Sequence, residues 1–284
     1  MCSDKWRHKE MFKEIIENLK IKSPLVHNIT NYVTVNDCAN ILLACGASPI
    51  MADDIMEVED ITSICNALVI NIGTLNSRTI ESMIKAGKRA NLLNHPVILD
   101  PVGAGASKFR TDTTFRLLKE VKFAAIRGNI SEIKTVHAGS GNTKGVDADV
   151  SDAVTDENLY DAINFAENLS KKLDAVIAIT GAIDIVANSE KAYVIRNGHP
   201  MMSKITGTGC MLTSLIGAYC AANMDKMLEA TASAVSAMGL CGELAYEKMI
   251  LNDGGTSSLR MHIIDYMSKM DYNMFKEGAK IESK

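Results

Sequence analysis

Short apolar runs alternate with helix-length amphipathic segments along most of this chain of 284 residues. The runs are SPIM, ALVINIG, VILDP, FAAIRG and AVIAITG, and each is bounded by glycine, proline or a polar turn. Continuously apolar strands are typical of a parallel sheet that helices cover on both faces. Strands that alternate with helices indicate βαβ units. The pattern therefore predicts an α/β fold around a mostly parallel central sheet.

The segment 183–198 interrupts this alternation. Its two alternating runs, IDIVA and AYVIR, flank the turn-forming residues Asn188, Ser189 and Glu190, which is typical of a hairpin. We therefore expect an antiparallel hairpin at the edge of the sheet. Beyond Gly209 the apolar spacing is helical almost to the end of the chain.

The chain shows no sign of a division into domains. No long linker rich in proline, glycine or serine interrupts it, and no internal repeat is visible. We therefore expect a single domain over residues 1–284. The polar stretch 139–156 is the one segment with the composition of a mobile insertion.

Charge and cysteine usage exclude several classes of protein. The 30 Lys and Arg residues against 34 Asp and Glu argue against a protein that mainly binds nucleic acid. No run reaches the roughly 18 apolar residues that span a bilayer, and the N-terminus lacks the apolar core of a signal peptide. The seven cysteines form no Cys-x-x-Cys pair, which argues against a zinc ribbon or a thioredoxin motif. We expect a cytoplasmic protein without nucleic-acid or membrane partners.

Two standard nucleotide-binding motifs are absent. Gly87-Lys88 is followed by Arg89 rather than Ser or Thr, so it is not a Walker A motif. Gly103-Ala104-Gly105 follows the run VILDP, but Lys108 stands where a dinucleotide fingerprint has its third glycine. The sequence therefore argues against a P-loop protein and against an NAD-dependent dehydrogenase.

A glycine-rich segment, TGTGC from Thr206 to Cys210, directly precedes an apolar helix. Glycines there let the backbone N–H groups of Gly207, Thr208 and Gly209 converge as an anion hole at the helix N-terminus. Cys210 is expected in the first turn, where the helix dipole favours a thiolate. A base beside an anion hole is suited to transferring phosphate to a hydroxyl. An ordinary loop before a helix remains the alternative.

Polar residues also stand where predicted strands end. Asp100 ends VILD, Arg127 follows FAAI, and Thr180 follows AVIAI. Because ligands of open α/β sheets bind outside the carboxyl ends of strands, we expect these side chains to meet. Asp100 alone could be a turn residue before proline, and Asn129 with Glu132 could be a capping box. Together with TGTGC, the set predicts a magnesium-nucleotide site built without a P-loop.

The motifs DPVGAGA, RGNxxE, ITG and TGTGC resemble those of the ribokinase-like superfamily of small-molecule kinases. The blocks PLVHNITNYV, ASPIMA and LVINIGTL resemble the hydroxyethylthiazole kinase family in particular, and the likeness runs from about residue 22 to 270. This resemblance implies a three-layer α/β/α fold. It also implies ATP-dependent phosphorylation of 4-methyl-5-(2-hydroxyethyl)thiazole, a step of thiamine biosynthesis and salvage.

The resemblance further implies roles for individual residues. The catalytic cysteine of the family corresponds to Cys210, where most members of the superfamily carry aspartate. The ATP contacts of the family correspond to Arg127 and Thr180, with Glu132 and Asp100 near the magnesium ion. The other six cysteines are expected only to pack in the interior.

The thiazole contacts of the family correspond to Met51 and Gly207, and Asn28 of HNITN is expected to line the same pocket. The family forms homotrimers, in which the Met51 segment of one subunit would complete the pocket of a neighbour. A sibling kinase for another vitamin precursor, such as hydroxymethylpyrimidine, is the nearest alternative. A thiazole-binding protein without catalysis is a second one.

Overall fold

The computed structural model describes residues 2–139 and 153–284 of the chain. In this part of the chain, one sheet of nine strands has the order β2-β1-β3-β4-β5-β6-β7-β8-β9. The strands are β1 (Leu25–Ile29), β2 (Ser48–Ile50), β3 (Ala67–Asn71), β4 (Val97–Asp100), β5 (Ala125–Gly128), β6 (Val176–Ile179), β7 (Asp184–Ala187), β8 (Ala192–Ile195) and β9 (Ile281–Ser283). Of the predicted insertion 139–156, residues 140–152 lie outside the described residues.

Eleven α-helices accompany the sheet in the described residues. They are α1 (Cys2–Lys22), α2 (Val35–Cys45), α3 (Val58–Ile64), α4 (Ser77–Leu92), α5 (Lys108–Glu120), α6 (Ile130–Gly139), α7 (Leu159–Leu173), α8 (Thr208–Ala222), α9 (Met227–Leu251), α10 (Thr256–Lys269) and α11 (Tyr272–Gly278). A short 3-10 helix, Pro200–Lys204, precedes α8. Across the described helices, none is both long and apolar enough to cross a bilayer.

The helices form a layer on each face of the sheet, because successive strand residues point to opposite faces. On β3, Val69 belongs to the hydrophobic cluster that includes α1, α2, α8, α9 and α10, whereas Leu68 and Ile70 belong to the cluster that includes α4 to α7. All three side chains are buried. Full burial of one such side chain contributes about 1.5–3 kcal/mol of transfer free energy. The predicted three-layer α/β fold is confirmed.

The sheet changes from parallel to antiparallel at β6. Strands β1 to β6 pair in parallel, and the hairpin of β7 and β8 continues the sheet in antiparallel register, as the sequence predicts. A short strand that the sequence analysis did not anticipate, β9, pairs with β8 through Ile195 and Ile281. The outer edge of the hairpin is therefore covered by the end of the chain.

Helix α8 crosses the face of the sheet in close contact with the parallel strands. A Cβ atom at Gly217, in the middle of α8, would lie 2.7 Å from Cγ2 of Val69. Only glycine allows the helix to approach β3 this closely. This packing brings the N-terminus of α8 to the carboxyl ends of β3, β4 and β5.

Candidate active site

Three residues predicted from strand ends lie together where parallel strands finish. Asp100 is the last residue of β4, Arg127 lies near the end of β5, and Thr180 directly follows β6. The Nη2 atom of Arg127 donates a hydrogen bond of 2.6 Å to Thr180 Oγ1. The Nη1 atom lies 3.7 Å from Asp100 Oδ1. The predicted convergence of these strand ends is therefore present.

The first turn of α8 lies against the Arg127 guanidinium. Gly207 precedes the helix with a left-handed φ of +92°, which glycine adopts without strain. A Cβ at Gly209 would lie 2.5 Å from Arg127 Nη1, so glycine is needed for the approach. The first backbone N–H groups of a helix have no partner within the helix. A guanidinium and the N-terminus of α8 thus face the same space, which favours an anionic ligand.

Asp100 is fully buried beneath this cation. Its Oδ2 atom accepts hydrogen bonds from Asn71 Nδ2 at 2.9 Å and from Thr213 Oγ1 at 2.8 Å. Its Oδ1 atom has no hydrogen-bond partner among the described residues. Burial raises the pKa of Asp100 to about 6, although the charge of Arg127 and the two hydrogen bonds oppose that shift.

Glu132 makes the capping box that the sequence left open as an alternative. Asn129 N donates to Glu132 Oε2 at 2.8 Å, and Glu132 N donates to Asn129 Oδ1 at 2.9 Å. The second carboxylate oxygen, Oε1, accepts from Gly103 N at 2.8 Å. Glu132 thereby joins the start of α6 to the loop that follows Asp100.

The pair of carboxylates is compatible with a hydrated magnesium ion. Within the described ranges, no group of three or more His, Cys, Asp or Glu residues could hold a metal without other ligands. Mg²⁺ bound with nucleotides usually needs only one or two carboxylates, because water and phosphate oxygens complete its shell. Asp100 Oδ1, which accepts no hydrogen bond from any residue that the structure describes and lies 3.7 Å from Arg127 Nη1, provides such an oxygen, whereas both oxygens of Glu132 also accept from backbone N–H groups.

Cys210 lies in the first turn of α8 and differs from the other described cysteines in its exposure. It is half-buried, whereas the others are buried: Cys38, Cys45, Cys65, Cys220 and Cys241. Burial raises the pKa of the thiols of Cys38 and Cys65 to about 11. The prediction that the other cysteines pack in the interior fits these five, while the side chain of Cys2 lies outside the described residues.

Two asparagines that the sequence analysis did not single out contact the sulfur of Cys210. Asn31 Nδ2 donates to Cys210 Sγ at 3.1 Å, and Asn71 Nδ2 donates to it at 3.3 Å. Asn71 is the last residue of β3. The rule that ligands bind outside the carboxyl ends of strands, applied to the run ALVIN, would therefore have identified it. Asn31 follows β1 by two residues and gives no comparable signal.

The predicted thiazole-contacting residues lie on different elements: Gly207 precedes α8, Asn28 is in β1, and Met51 follows β2. Asn28 is buried; its Oδ1 accepts from Ser214 Oγ at 3.0 Å, and its Nδ2 donates to Val26 O, so the side chain joins β1 to α8. Met51 is half-buried and directly follows β2. The next residue, Ala52, accepts a hydrogen bond of 2.8 Å from His27 Nε2.

A cavity of about 510 Å³ opens beside Arg127 and Thr180. Apolar side chains form one wall: Leu212, Val235 and Met238. Asp184 contributes a carboxyl, and its Oδ1 accepts from Gly181 N at 2.8 Å. Burial raises the pKa of Asp184 to about 7, against the opposing effects of that hydrogen bond and of Arg127. The cavity has the size and mixed lining of a site for a small organic ligand.

Known proteins resemble this chain over nearly its whole length. The model of the hydroxyethylthiazole kinase family matches residues 16–273. A hydroxyethylthiazole kinase of Clostridium acetobutylicum is 65% identical over 273 residues, which cover 96% of this chain and 100% of the relative. One of Clostridium beijerinckii is 55% identical over 268 residues, 94% of this chain and 95% of the relative.

Solved structures of known proteins also resemble this chain. A hydroxyethylthiazole kinase protein of Pyrococcus horikoshii superposes with a TM-score of 0.85 at 34% identity, covering 97% of this chain and 99% of that one. A ribokinase-like superfamily protein of Enterococcus faecalis, at 12% identity and a TM-score of 0.60 over 90% of this chain and 89% of that one, shares the fold. The resemblance noted in the sequence is confirmed: the chain is a kinase with the ribokinase-like fold, and it belongs to the hydroxyethylthiazole kinase family.

Proposed function

We propose that this enzyme transfers the γ-phosphoryl group of ATP to the hydroxyl of 4-methyl-5-(2-hydroxyethyl)thiazole, a step of thiamine biosynthesis and salvage. The observation that carries the proposal is the half-exposed Cys210 in the first turn of α8, next to Gly209, whose Cα lies against the Arg127 guanidinium. An acceptor for the hydroxyl proton and a cationic site for the phosphate thus share one helix N-terminus.

The transfer follows from this arrangement. The substrate oxygen attacks the γ-phosphorus in line, the bond to the bridging oxygen breaks, and ADP leaves with that electron pair. The hydroxyl proton passes to Cys210 Sγ. The N–H groups of Gly207, Thr208 and Gly209 form the proposed anion hole for the transferring oxygens. Catalysis of this kind consists mostly of positioning and charge stabilisation, so a weak base is sufficient.

Arg127 and Thr180 are the proposed ATP contacts. The hydrogen bond of 2.6 Å between them fixes the guanidinium in the lining of the 510 Å³ cavity. We place the nucleoside in that cavity and the phosphates between Arg127 and the start of α8. Asp100 holds the guanidinium from below, since its Oδ1 lies 3.7 Å from Arg127 Nη1.

We propose Asp100 and Glu132 as the residues that hold magnesium, partly through water. Bound there with ATP, the ion would neutralise negative charge that develops on the phosphate oxygens. Glu132 also orders the loop after β4 through its hydrogen bond with Gly103 N, a role that does not depend on the metal.

Met51, Gly207 and Asn28 are the proposed thiazole-binding residues. In this proposal the enzyme is a homotrimer, and the Met51 segment of each subunit completes the pocket of a neighbour. Two large apolar side chains that follow Met51 in the sequence support the idea, because Met56 is 85% exposed and Ile64 is 63% exposed.

We also propose that residues 1–284 form one kinase domain and that the enzyme works in the cytoplasm. The single sheet, which runs from β1 near the N-terminus to β9 at the C-terminus, supports the first statement.

A coupled assay of ADP release tests the function. We expect ADP to form with hydroxyethylthiazole and magnesium, in equal amount to a phosphate monoester seen by ³¹P NMR. Faster turnover of hydroxymethylpyrimidine would identify the sibling kinase instead. Binding of the thiazole, measured by calorimetry, without any ADP release would identify a non-catalytic binding protein.

A further inference from the structure

The amide groups of Asn31 and Asn71 have one orientation that satisfies their neighbours. Asn31 Oδ1 accepts hydrogen bonds from Thr34 N at 3.1 Å and from Thr34 Oγ1 at 3.0 Å. Asn71 Oδ1 accepts from Gly73 N at 2.8 Å and from Asn31 Nδ2 at 3.1 Å. Rotation of either amide would place its NH₂ group against a backbone N–H. The two backbone donors therefore direct both Nδ2 atoms towards Cys210.

Every N–H of these two buried amides then has a partner. Asn31 Nδ2 donates to Asn71 Oδ1 and to Cys210 Sγ. Asn71 Nδ2 donates to Asp100 Oδ2 and to Cys210 Sγ. The sulfur thus receives two N–H donors. These two donors fix the position of the sulfur, and a hydrogen bond to an acceptor is about twice as strong when the acceptor is ionised.

Gly73 makes the contact between the two amides possible. A Cβ atom there would lie 2.9 Å from Asn31 Nδ2 and 2.9 Å from Asn71 Oδ1. Any larger residue at position 73 would push the amides away from each other and from the sulfur. The backbone around the asparagines is therefore shaped for the same arrangement.

We propose that Asn31 and Asn71 are positioning residues of the phosphoryl transfer: they hold Cys210 Sγ as a proton acceptor at the start of α8. The inference rests on the proposed function of Cys210. The two asparagines touch neither the phosphate nor the hydroxyl. They act through the sulfur, and Asn71 also links the sulfur to Asp100 beneath Arg127.

Asn31→Asp gives a sharp test, because it keeps the oxygen that accepts from Thr34 N and removes the NH₂ group that donates to Cys210 Sγ and to Asn71 Oδ1. We expect kcat to fall about tenfold to a hundredfold while the KM for the thiazole changes little. Alkylation of Cys210 by iodoacetamide, followed by peptide mass spectrometry, should slow by about tenfold. Asn31→Ser, which adds no charge, should act in the same direction. Asn40→Asp is the matched control on the exposed side of α2.

A double-mutant cycle with Cys210→Ala separates positioning from a structural role. Once the sulfur is gone, Asn31→Ser should change the residual kcat less than about twofold. The proposal would be overturned if Asn31→Ser lowered kcat equally in the wild type and in Cys210→Ala. An unchanged rate of alkylation in both Asn31 variants would also overturn it. If the variants do not fold, the native enzyme still decides, since the side-chain NH₂ resonances of Asn31 and Asn71 should shift on alkylation of Cys210. Resonances that stay in place would contradict the role.

Alkylation is measured without substrate, so the test is independent of the proposed reaction. Slower alkylation of the Asn31 variants, in an enzyme that does not phosphorylate hydroxyethylthiazole, would refute the proposed function and leave the positioning role intact.

Discussion

The backbone of Gly209 lies so close to the Arg127 guanidinium that a Cβ at position 209 would be 2.5 Å from Nη1. A side chain there has no room unless Arg127 moves. Because Arg127 also donates to Thr180 Oγ1, its displacement would break this hydrogen bond. It would also move the guanidinium away from the proposed phosphate site. One glycine thus couples the N-terminus of α8 to the end of β5.

We predict that Gly209→Ala raises the KM for ATP about tenfold or more, because the guanidinium is displaced from the phosphates. Steady-state kinetics with varied ATP measures this. Gly255→Ala is a matched control, since no atom lies within 4 Å of a Cβ built there. An unchanged KM for ATP in Gly209→Ala would show that Arg127 does not bind the nucleotide.

Arg127→Lys is predicted to lower kcat/KM for ATP by about a hundredfold, because an ammonium cannot bond Thr180 and approach Asp100 in one plane as the guanidinium does. Thermal unfolding should show a loss of stability as well, since Asp100 loses part of its charge partner in the interior. Arg116→Lys, at an exposed ion pair with Glu81, should change neither kcat/KM for ATP nor the thermal stability. Wild-type kinetics in Arg127→Lys would remove Arg127 from the ATP site.

The raised pKa of Asp184 predicts a dependence of stability on pH. Burial raises that pKa to about 7 in the folded chain, whereas an exposed aspartate titrates near 4. The fold therefore favours the protonated carboxyl. Its contribution to stability is fully present below about pH 4 and is lost as the pH rises through about 7.

Asp184→Asn should remove this dependence. As the pH rises from 4 to 8, the free energy of unfolding of Asp184→Asn should increase relative to that of the wild type. Urea denaturation measures this difference. Asparagine keeps an oxygen for the hydrogen bond with Gly181 N. The exposed Asp161→Asn serves as control, and a difference that does not vary with pH would contradict the assignment.

Glu132→Gln is predicted to raise the magnesium concentration needed for half-maximal activity, because a carboxylate that helps to hold the ion becomes neutral. A loss of about 1 kcal/mol from the capping box should accompany it, visible as a lower Tm. Glu247→Gln, on the exposed surface of α9, is the control. A lower Tm with unchanged magnesium dependence would leave Glu132 with the structural role alone.

The strand-end residues of the site were predictable because of one topological rule. Parallel strands finish at a common edge, so Asp100, Arg127 and Thr180 had to converge once their runs were recognised as neighbouring strands. The hairpin at 183–198 followed from alternating residues around a polar turn. Both predictions depend on local patterns that repeat along a strand.

Other features depend on contacts between distant segments and leave no local pattern. The orientation of Asn31 is set by Thr34 and Asn71, and its contact with Cys210 spans 179 positions of the sequence. Strand β9 is only three residues long and forms because β8 offers an unpaired edge. The spacing of Asn129 and Glu132 is that of a capping box whether or not a metal binds, so sequence could not separate the two roles.

The most direct test of the central claim compares single-turnover phosphorylation of hydroxyethylthiazole by the wild type, Cys210→Ala and Cys210→Asp. We predict that Cys210→Ala forms the phosphate ester about a hundredfold more slowly while the Kd of the thiazole is retained. Cys210→Asp, which restores a proton acceptor, should be within about tenfold of the wild type. Equal rates in wild type and Cys210→Ala, or an inactive Cys210→Asp with an unchanged circular dichroism spectrum, would contradict the role of Cys210 as proton acceptor.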